Sequence, residues 1–323
     1  MATREASVRP DVSFVIAAYN AEPTLARAVD SALAQRGVSV EVIVVDDCSS
    51  DGTLAVAQSY ADNRVRVVPL GRNGGPGAAR NAGLDAARGR WVAVLDSDDS
   101  VLPDRLATMI SRAEAEDAAM AVDNLVVIRE DGTAPDTMFV PGQLEQLPEL
   151  TLARYIDGNL LFEGTFNFGY MKPIFLRGYL DDNHLRYKED LRIGEDFILL
   201  ASALAMGGRC VVEPAVGYAY HIRSGSISRI LELRHVEAMQ CADAVFERVN
   251  RLDGEARQAF TRRTRSLSRA ATFLSLVQHI KSRSPLKAMR TALRDPSAIR
   301  HLRMPIAVRL RRVAEQFAGR PGR

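Results

Sequence analysis

The chain has 323 residues, 47% of them hydrophobic and 25% charged, a composition ordinary for a globular protein of one large domain plus an appendage or of two domains. Its three cysteines, Cys48, Cys210 and Cys241, include no C-x-x-C pair, which argues against a disulfide framework and a zinc site and favours a reducing cytoplasm. Residues 1–11 contain no apolar signal segment, so we expect no secretion through a cleaved signal peptide. No apolar stretch approaches the ~18 residues that cross a bilayer, so we expect no insertion into the membrane.

The net charge of +2 conceals a division of the chain by charge sign. Residues 251–323 contain eighteen basic and four acidic residues, which leaves residues 1–250 net acidic. This asymmetry predicts two parts with different surfaces and different contacts.

The first hundred residues alternate between short apolar runs and amphipathic stretches. The pattern predicts strands at 12–18, 40–45 and 65–70 and a fourth from Trp91, with helices at 22–35, 53–60 and 78–87 between them. Such alternation with short connections predicts an α/β fold, with a parallel sheet and helices on both faces.

Residues 91–99 read W-V-A-V-L-D-S-D-D, a buried strand that runs directly into three carboxylates. Packed carboxylates repel one another unless a cation neutralises them, and a hard divalent cation with oxygen ligands is the usual one. Asp96, Ser97 and Asp98 therefore indicate a metal site, with Asp99 in reserve. A solvated turn that caps the helix after Pro103 is the alternative.

Each of the four predicted strands ends in residues able to bind a nucleotide: Tyr19, Asp47, the glycine loop 71–77 with Arg80, and the acidic cluster 96–99. Because the carboxyl ends of parallel strands share one edge of a sheet, these residues predict one site. The glycine loop matches neither G-x-G-x-x-G nor G-x-x-x-x-G-K-[ST], which argues against NAD enzymes and phosphate-loop NTPases.

The following elements are less regular: we predict helices at 103–116 and 198–206, strands at 120–128 and 210–212, and no single structure for 134–165. Residues 166–175 are aromatic and apolar with one lysine, and predict a core strand or, as the alternative, the lining of an acceptor pocket. Glu195 and Asp196 open a helix, where capping alone could explain them. His221 follows the last predicted strand and is either structural or a ligand.

Beyond residue 230 the chain predicts helices at 231–252, 255–279 and 285–317. Two readings stay open for this basic region: a helical cap on the preceding domain, or an amphipathic surface for anionic lipids. No nucleic-acid recognition motif accompanies the arginines, so we expect no nucleic-acid partner.

Taken together, the motifs resemble the family 2 glycosyltransferases, inverting enzymes of the GT-A fold that use nucleotide-diphospho-sugars. The matching segments are V-S-F-V-I-A-A-Y-N at 12–20, V-I-V-V-D-D-C-S-S-D-G-T at 42–53, N-G-G-P-G-A-A-R-N-A-G-L at 73–84, L-D-S-D-D at 95–99, G-E-D at 194–196, Y-H at 220–221 and S-I-S at 226–228. They occur in family order over about two-thirds of the chain and are most similar to bacterial exopolysaccharide transferases of the succinoglycan type. Cys48 departs from the pattern, because the family commonly has glycine there.

The resemblance implies a role for each matching residue. Tyr19 would stack on the base, Asp47 would bond the uracil edge of a UDP donor, and Arg80 would approach the diphosphate. The implied nucleotide-sugar-binding set is Ala17, Tyr19, Asp47, Asn73, Gly77, Arg80, Asp96 and Ser97. The implied metal ligands for Mn²⁺ or Mg²⁺ are Asp98 and His221, and the implied catalytic pair is Asp196, the base, with Glu195 beside it.

The resemblance also implies the architecture: a GT-A domain at 1–230, with a Rossmann-like, mainly parallel sheet, and a basic helical region at 231–323. The expected reaction moves a sugar from a nucleotide-diphospho-sugar to a hydroxyl of a saccharide or polyprenyl-linked acceptor in polysaccharide biosynthesis. We expect a cytoplasmic location, peripheral at the anionic inner face of the membrane. An inactive nucleotide-sugar-binding scaffold and a sugar nucleotidyltransferase are the alternatives.

Overall fold

The computed structural model of the chain describes residues 9–163, 167–222 and 231–294. The strands are β1 (Val12–Ala18), β2 (Val40–Asp46), β3 (Val65–Pro69), β4 (Trp91–Val94), β5 (Ser100–Val101), β6 (Met120–Arg129), β7 (Asp136–Thr137), β8 (Ile174–Leu176) and β9 (Cys210–Ile222). The helices are α1 (Leu25–Leu33), α2 (Thr53–Gln58), α3 (Pro76–Ala86), α4 (Arg105–Ala115), α5 (Pro141–Glu145), α6 (Leu152–Asp157), α7 (Arg177–Asp182), α8 (Glu195–Ala205), α9 (Leu233–Val249), α10 (Gly254–Lys281) and α11 (Pro285–Arg294).

The first half of the sheet is parallel, in the order β3, β2, β1, β4. All residues of β2 are buried, as are nearly all those of β1, because helices cover both faces of a doubly wound sheet. The register pairs Val12 with both Val40 and Trp91, so β1, β2 and β4 begin together. Strands β1 and β2 also end together, whereas β4 ends at Val94, opposite Val15. The predicted strands and crossover helices of this half are confirmed, with ends that differ by a few residues.

The second half of the sheet is mixed. Strand β8 runs antiparallel to β4 and β6, whereas β9 runs parallel to β6 and antiparallel to β5. The sheet is therefore parallel on one side and mixed on the other, as in a curled GT-A sheet.

Strand β9 is much longer than the predicted strand at 210–212. It continues through Pro214 and Gly217 to Ile222, because a bulge skips residues between the pairs of Asp123 with Glu213 and of Asn124 with Val216. The prediction that His221 follows the strand is wrong: this residue lies within β9.

The aromatic segment 166–175 does not form the single predicted strand. A 3₁₀ turn at Phe168–Tyr170 precedes β8, and Pro173, which lacks an N–H donor, separates the two. Residues 164–166 lie outside the described part of the chain.

Helices α9 and α10 pack against the sheet-containing part. Phe246, Leu252 and Phe260 belong to the same buried cluster as the sheet, and a second cluster joins Val236 and Leu267. The predicted helix at 285–317 is described as far as Arg294, and the rest of it lies outside the described residues. No helix in the described ranges combines the length and apolar character needed to cross a bilayer.

Candidate active site

The site is built at the edge where the parallel strands end. Ala18 pairs with Asp46 in the register, and the N–H of Asp47 donates to the carbonyl of Ala18 at 2.8 Å. Tyr19 follows β1 directly, and half-buried Ala17 lies two residues before it, within β1. The predicted convergence of the strand ends is confirmed.

Asp47 organises the glycine loop. Its buried carboxylate accepts from the backbone N–H of Gly74 at 2.7 Å and of Gly75 at 2.8 Å, while the Asn73 amide donates to its carbonyl at 3.0 Å. Gly75 has φ +87°, a conformation that favours glycine. The Tyr19 side chain is 50% exposed at the rim, where an aromatic face is open to a planar ligand.

The other predicted glycine, Gly77, is buried in the first turn of α3. A Cβ there would lie 2.8 Å from the carbonyl oxygen of residue 188, so glycine allows the 188–189 backbone to pack on the helix. Arg192 of the same segment donates to the Asn73 side chain at 3.3 Å. Sequence reasoning did not single out this arginine.

The turn after β2 explains why glycine would be favourable at position 48, where this chain has cysteine. This residue has φ +60°, in the left-handed region that favours glycine. The chain adopts the turn with a side chain present, at a typical cost of ~1–2 kcal/mol.

Five charged side chains meet above the end of β4. Arg80 Nη2 donates to Asp96 Oδ1 at 2.8 Å, and Arg80 Nη1 donates to Asp196 Oδ1 at 3.1 Å and to Glu195 Oε1 at 2.6 Å. Lys172 Nζ lies 2.7 Å from Asp96 Oδ2 and 3.2 Å from Asp196 Oδ2. Arg80, Asp96, Lys172 and Asp196 thus form a closed cycle of alternating charge, which we call the charge ring.

The sheet topology brings these groups together. Strand β8 is antiparallel to β4, with Ala93 paired to Ile174, so Asp96 beyond one strand and Lys172 before the other reach the same edge. The two acidic residues of α8 arrive from the helix N-terminus, where a negative charge is favourable.

Burial strengthens the electrostatics of the charge ring, because little water screens it. Burial alone would raise the pKa of Asp96, but the charges of Lys172 and Arg80 outweigh it and hold that pKa well below its ordinary range. Burial would lower the pKa of Lys172, yet Asp196 and Asp96 raise it. Burial and the charge of Asp196 raise the pKa of Glu195. Asp96 and Lys172 are therefore both ionised at neutral pH.

The rest of the acidic cluster is tied to β9. Buried Asp99 accepts from the Tyr218 hydroxyl at 2.8 Å and from the backbone N–H of His221 at 2.8 Å. Burial, with the charges of Asp96 and Asp98, raises the pKa of Asp99 well above its ordinary value. Asp99 therefore holds the cluster to strand β9, which carries His221.

A divalent cation was expected at Asp98 and His221. Among residues 9–163, 167–222 and 231–294, no three His, Cys, Asp or Glu side chains form a group that could hold a metal ion. Mg²⁺-like cations at phosphate-transferring sites commonly take one or two protein carboxylates and complete their shell with substrate phosphates and water. A carboxylate at Asp98 and an imidazole on the adjoining strand fit such a shared cation. Half-buried Ser97 lies in the same turn.

Sequence reasoning missed Lys172 as a member of the site. A single lysine in the apolar run 166–175 was the available signal, because lysine is almost never buried without a charge partner. It also missed Tyr218, and it kept Asp99 only in reserve for the metal site, whereas Asp99 bonds Tyr218 and the His221 backbone. The S-I-S motif at 226–228 lies outside the described residues.

Comparison with known sequences identifies the relatives of this chain. The family described as Glycosyl transferase family 2 matches residues 13–177. The chain is 58% identical over 308 residues to the succinoglycan biosynthesis protein ExoO of Rhizobium meliloti (strain 1021), covering 95% of this chain and 88% of that protein. It is 34% identical over 270 residues to the succinoglycan biosynthesis protein ExoU of the same strain, covering 81% and 77%.

Comparison with solved structures shows the fold. S. aureus TarS 1-349 in complex with UDP-GlcNAc has a TM-score of 0.63 at 19% identity, covering 88% of this chain and 92% of that chain. The mannosyltransferase PcManGT from Pyrobaculum calidifontis, in complex with GDP-Man and Mn²⁺, has a TM-score of 0.60 at 17% identity, covering 94% and 81%. The expected GT-A fold is confirmed.

The family match and the relatives agree. The family match spans about half of the chain, and the relative with 58% identity takes part in the synthesis of an exopolysaccharide. The chain belongs to glycosyl transferase family 2 and is related to the glycosyltransferases of exopolysaccharide biosynthesis.

Proposed function

We propose that the protein transfers a sugar, with inversion, from a UDP-sugar to a hydroxyl of a saccharide or polyprenyl-linked saccharide during exopolysaccharide synthesis. The observation that carries the proposal is the charge ring, which joins Asp96 of the D-S-D turn to Asp196 at the start of α8. In this proposal Asp96 is the donor-side carboxylate and Asp196 the acceptor-side carboxylate, and their shared contacts with Arg80 and Lys172 support a common site. A relative in E. coli named as a UDP-Glc-dependent glucosyltransferase supports the choice of UDP.

The proposed reaction is a single displacement at the anomeric carbon. Asp196 accepts the proton of the attacking hydroxyl, a role worth roughly 10²–10⁴ in rate. The hydroxyl attacks from the face opposite the diphosphate, so the configuration inverts. Glu195 holds Arg80, which in turn holds both Asp196 and Asp96.

Each residue at the strand ends is assigned to a part of the UDP-sugar donor by its position in the site. Tyr19 stacks on the uracil, and Asp47 with the glycine loop lines its edge. Asp98 and His221 would hold Mn²⁺ or Mg²⁺, and such a cation stabilises the negative charge that develops on a leaving diphosphate. Arg80 adds positive charge near the diphosphate while its nitrogen atoms hold the carboxylates.

The proposal includes a peripheral contact with an anionic membrane, which suits a polyprenyl-linked acceptor. Leu286, Met289 and Leu293 of α11 are 76%, 58% and 74% exposed and follow the i, i+3, i+7 spacing of one helix face. Lys287 and Arg290 flank that face, and residues 256–294 contain no acidic residue. Exposed apolar side chains beside basic ones match the interface of anionic lipids.

The first test is calorimetric titration of the full chain with UDP, GDP and TDP, each with and without Mn²⁺. We expect UDP binding that depends on Mn²⁺ and is lost in Asp98→Ala. Asp104→Ala, which removes an exposed carboxylate nearby, is the matched control and should bind as the unmodified protein does. Mn²⁺-independent UDP binding, unchanged in Asp98→Ala, would contradict the assignment of the metal ligands.

Turnover separates the proposal from its alternatives. Incubation with a panel of UDP-sugars and alkyl glycoside acceptors should release UDP without pyrophosphate, and the anomeric proton of the product should show inversion. Pyrophosphate release would indicate a nucleotidyltransferase. UDP binding without turnover of any donor would indicate a scaffold.

A further inference from the structure

The surroundings of Lys172 are those of a functional residue rather than of a core residue. It is only 6% exposed, and its ammonium contacts the carboxylates of Asp96 and Asp196. Ordering and burying a lysine is costly, and the cost is offset only if the charge is well paired.

The backbone of Lys172 is fixed independently of its side chain. Its carbonyl oxygen accepts from Arg105 Nη2 at 2.5 Å, and Arg105 forms a buried two-point pair with Asp123 at 2.8 and 2.9 Å. Pro173 follows and restricts the chain further. The ammonium therefore extends from an anchored point.

Arg80 and Lys172 hold different oxygen atoms of the same two carboxylates. Arg80 binds Oδ1 of Asp96 and Oδ1 of Asp196, whereas Lys172 binds Oδ2 of each. With both oxygens bound, neither carboxylate can rotate about its terminal torsion. With Arg80 alone, each carboxylate would keep one contact and would be free to turn.

We propose that Lys172 is a positioning residue that holds the donor-side Asp96 and the base Asp196 at a fixed separation across the cleft. This inference rests on the proposed function. Lys172 acts through the carboxylates and does not touch the reacting atoms. Its loss should misplace the base, and misplacement by about 1 Å can cost about 100-fold in rate.

The test compares Lys172→Met, which keeps an unbranched side chain one heavy atom shorter and removes its charge, with Lys172→Arg, which keeps the charge. For Lys172→Met we expect kcat to fall about 100-fold, while KM for the UDP-sugar and the calorimetric affinity for UDP change less than about threefold. Lys172→Arg should recover part of kcat, because a guanidinium can contact both carboxylates. Lys188→Met, at an exposed lysine, is the control for loss of a lysine.

Two outcomes would overturn the inference: a kcat for Lys172→Met equal to that of the unmodified protein, or equal loss of kcat and UDP affinity with no recovery in Lys172→Arg. A double-mutant cycle provides a test that does not depend on enzyme activity. It compares the melting temperatures of Lys172→Met, Asp196→Asn and the double variant with that of the unmodified protein. If the two side chains contact each other, the double variant should lose less melting temperature than the sum of the losses in the two single variants. Additive decreases would also overturn the inference, even if no UDP-sugar served as a donor and the proposed function failed.

Discussion

Glu195 and Asp196 are adjacent in sequence, but their environments differ. Glu195 is buried and contacts Arg80, and burial raises the pKa of its carboxyl. The Asp196 side chain is 21% exposed and lies between Arg80 and Lys172, where solvent can reach it. This difference in accessibility supports Asp196 as the proposed base and Glu195 as the residue that holds Arg80.

Replacing the base should separate chemistry from binding. We expect Asp196→Asn to lower kcat by roughly 10²–10⁴, because the amide cannot take the proton of the attacking hydroxyl. UDP affinity by calorimetry should change little, because Asp47 and the D-S-D turn stay in place. Asp190→Asn, at an exposed carboxylate in the preceding segment, serves as the control. A parallel loss of UDP affinity would mean that Asp196 is structural.

Motifs predicted many of the charged site residues, since Asp47, Asp96 and Asp196 each follow a strand end or open a helix within a local pattern. Lys172 escaped prediction because nothing within ten residues of it supplies its partners. Its burial depends on the antiparallel pairing of β4 with β8, across about eighty residues of chain. Local periodicity carries no information about such a pairing.

At the scale of elements, the parallel half of the sheet was predicted well and the mixed half was not. Continuous β-branched runs mark buried strands such as β1 and β2, whereas β9 contains Pro214 and Gly217, which are typical of a strand end. The structure explains Gly217: a Cβ there would lie 2.2 Å from Asp123 Oδ2 and 2.6 Å from Arg105 Cγ. The glycine makes room for a buried ion pair, which the sequence pattern could not show.

Helices α9 and α10 are joined by a second buried ion pair. Arg263 Nε donates to Asp243 Oδ2 at 2.7 Å, and the guanidinium lies 3.4 Å from the centre of the Phe197 ring on α8. Burial raises the pKa of Asp243, against the opposing attraction of Arg263. This pair therefore links the C-terminal helices to the helix that carries Glu195 and Asp196.

Removing the arginine should destabilise the protein in a pH-dependent way. Arg263→Met leaves a buried carboxylate unpaired, which typically costs about 3–5 kcal/mol. A carboxyl whose pKa is raised in the folded state binds its proton more tightly there than in the unfolded chain, so the free energy of unfolding falls as pH rises through the raised pKa. The loss in melting temperature should thus be larger at pH 7.5 than at pH 5.

The matched control is the double variant Asp243→Asn with Arg263→Met. It contains no unpaired charge and should recover part of the stability and lose the pH dependence. An equal loss at both pH values in Arg263→Met would contradict the assigned role of Asp243.

At the scale of the whole molecule, basic residues concentrate in the C-terminal part of the chain, whereas residues 1–250 are net acidic. The exposed apolar face of α11 and its flanking basic residues give the proposed membrane contact a defined location. The sequence predicted a basic helical region there but left a helical cap and a lipid surface open. The buried faces of α9 and α10 pack as a helical cap, whereas the exposed apolar face of α11 supports the proposed membrane contact.

Vesicle co-sedimentation tests this contact. The full chain should bind vesicles that contain phosphatidylglycerol, bind pure phosphatidylcholine weakly, and dissociate at high salt because screening weakens the charge attraction. Changing Leu286, Met289 and Leu293 to Gln should weaken binding about tenfold or more, since each loses apolar burial. Met206→Gln, at an exposed methionine of the α8 C-terminus, is the control. Equal binding to neutral vesicles, or no effect of the triple change, would exclude this surface.

The charge ring has a consequence for how the protein becomes active. Its members are distant along the chain: Arg80 and Asp196 are 116 residues apart, and Arg80 and Asp96 only 16. Contacts of long sequence separation close late, because the loop entropy between them must be lost first. An early sheet of β1 to β4 would hold the Arg80–Asp96 pair without its further partners from residues 172 and 196. If the charge ring forms the proposed active site, catalytic competence arises with the last long-range contact, and we expect a partly folded chain to transfer no sugar.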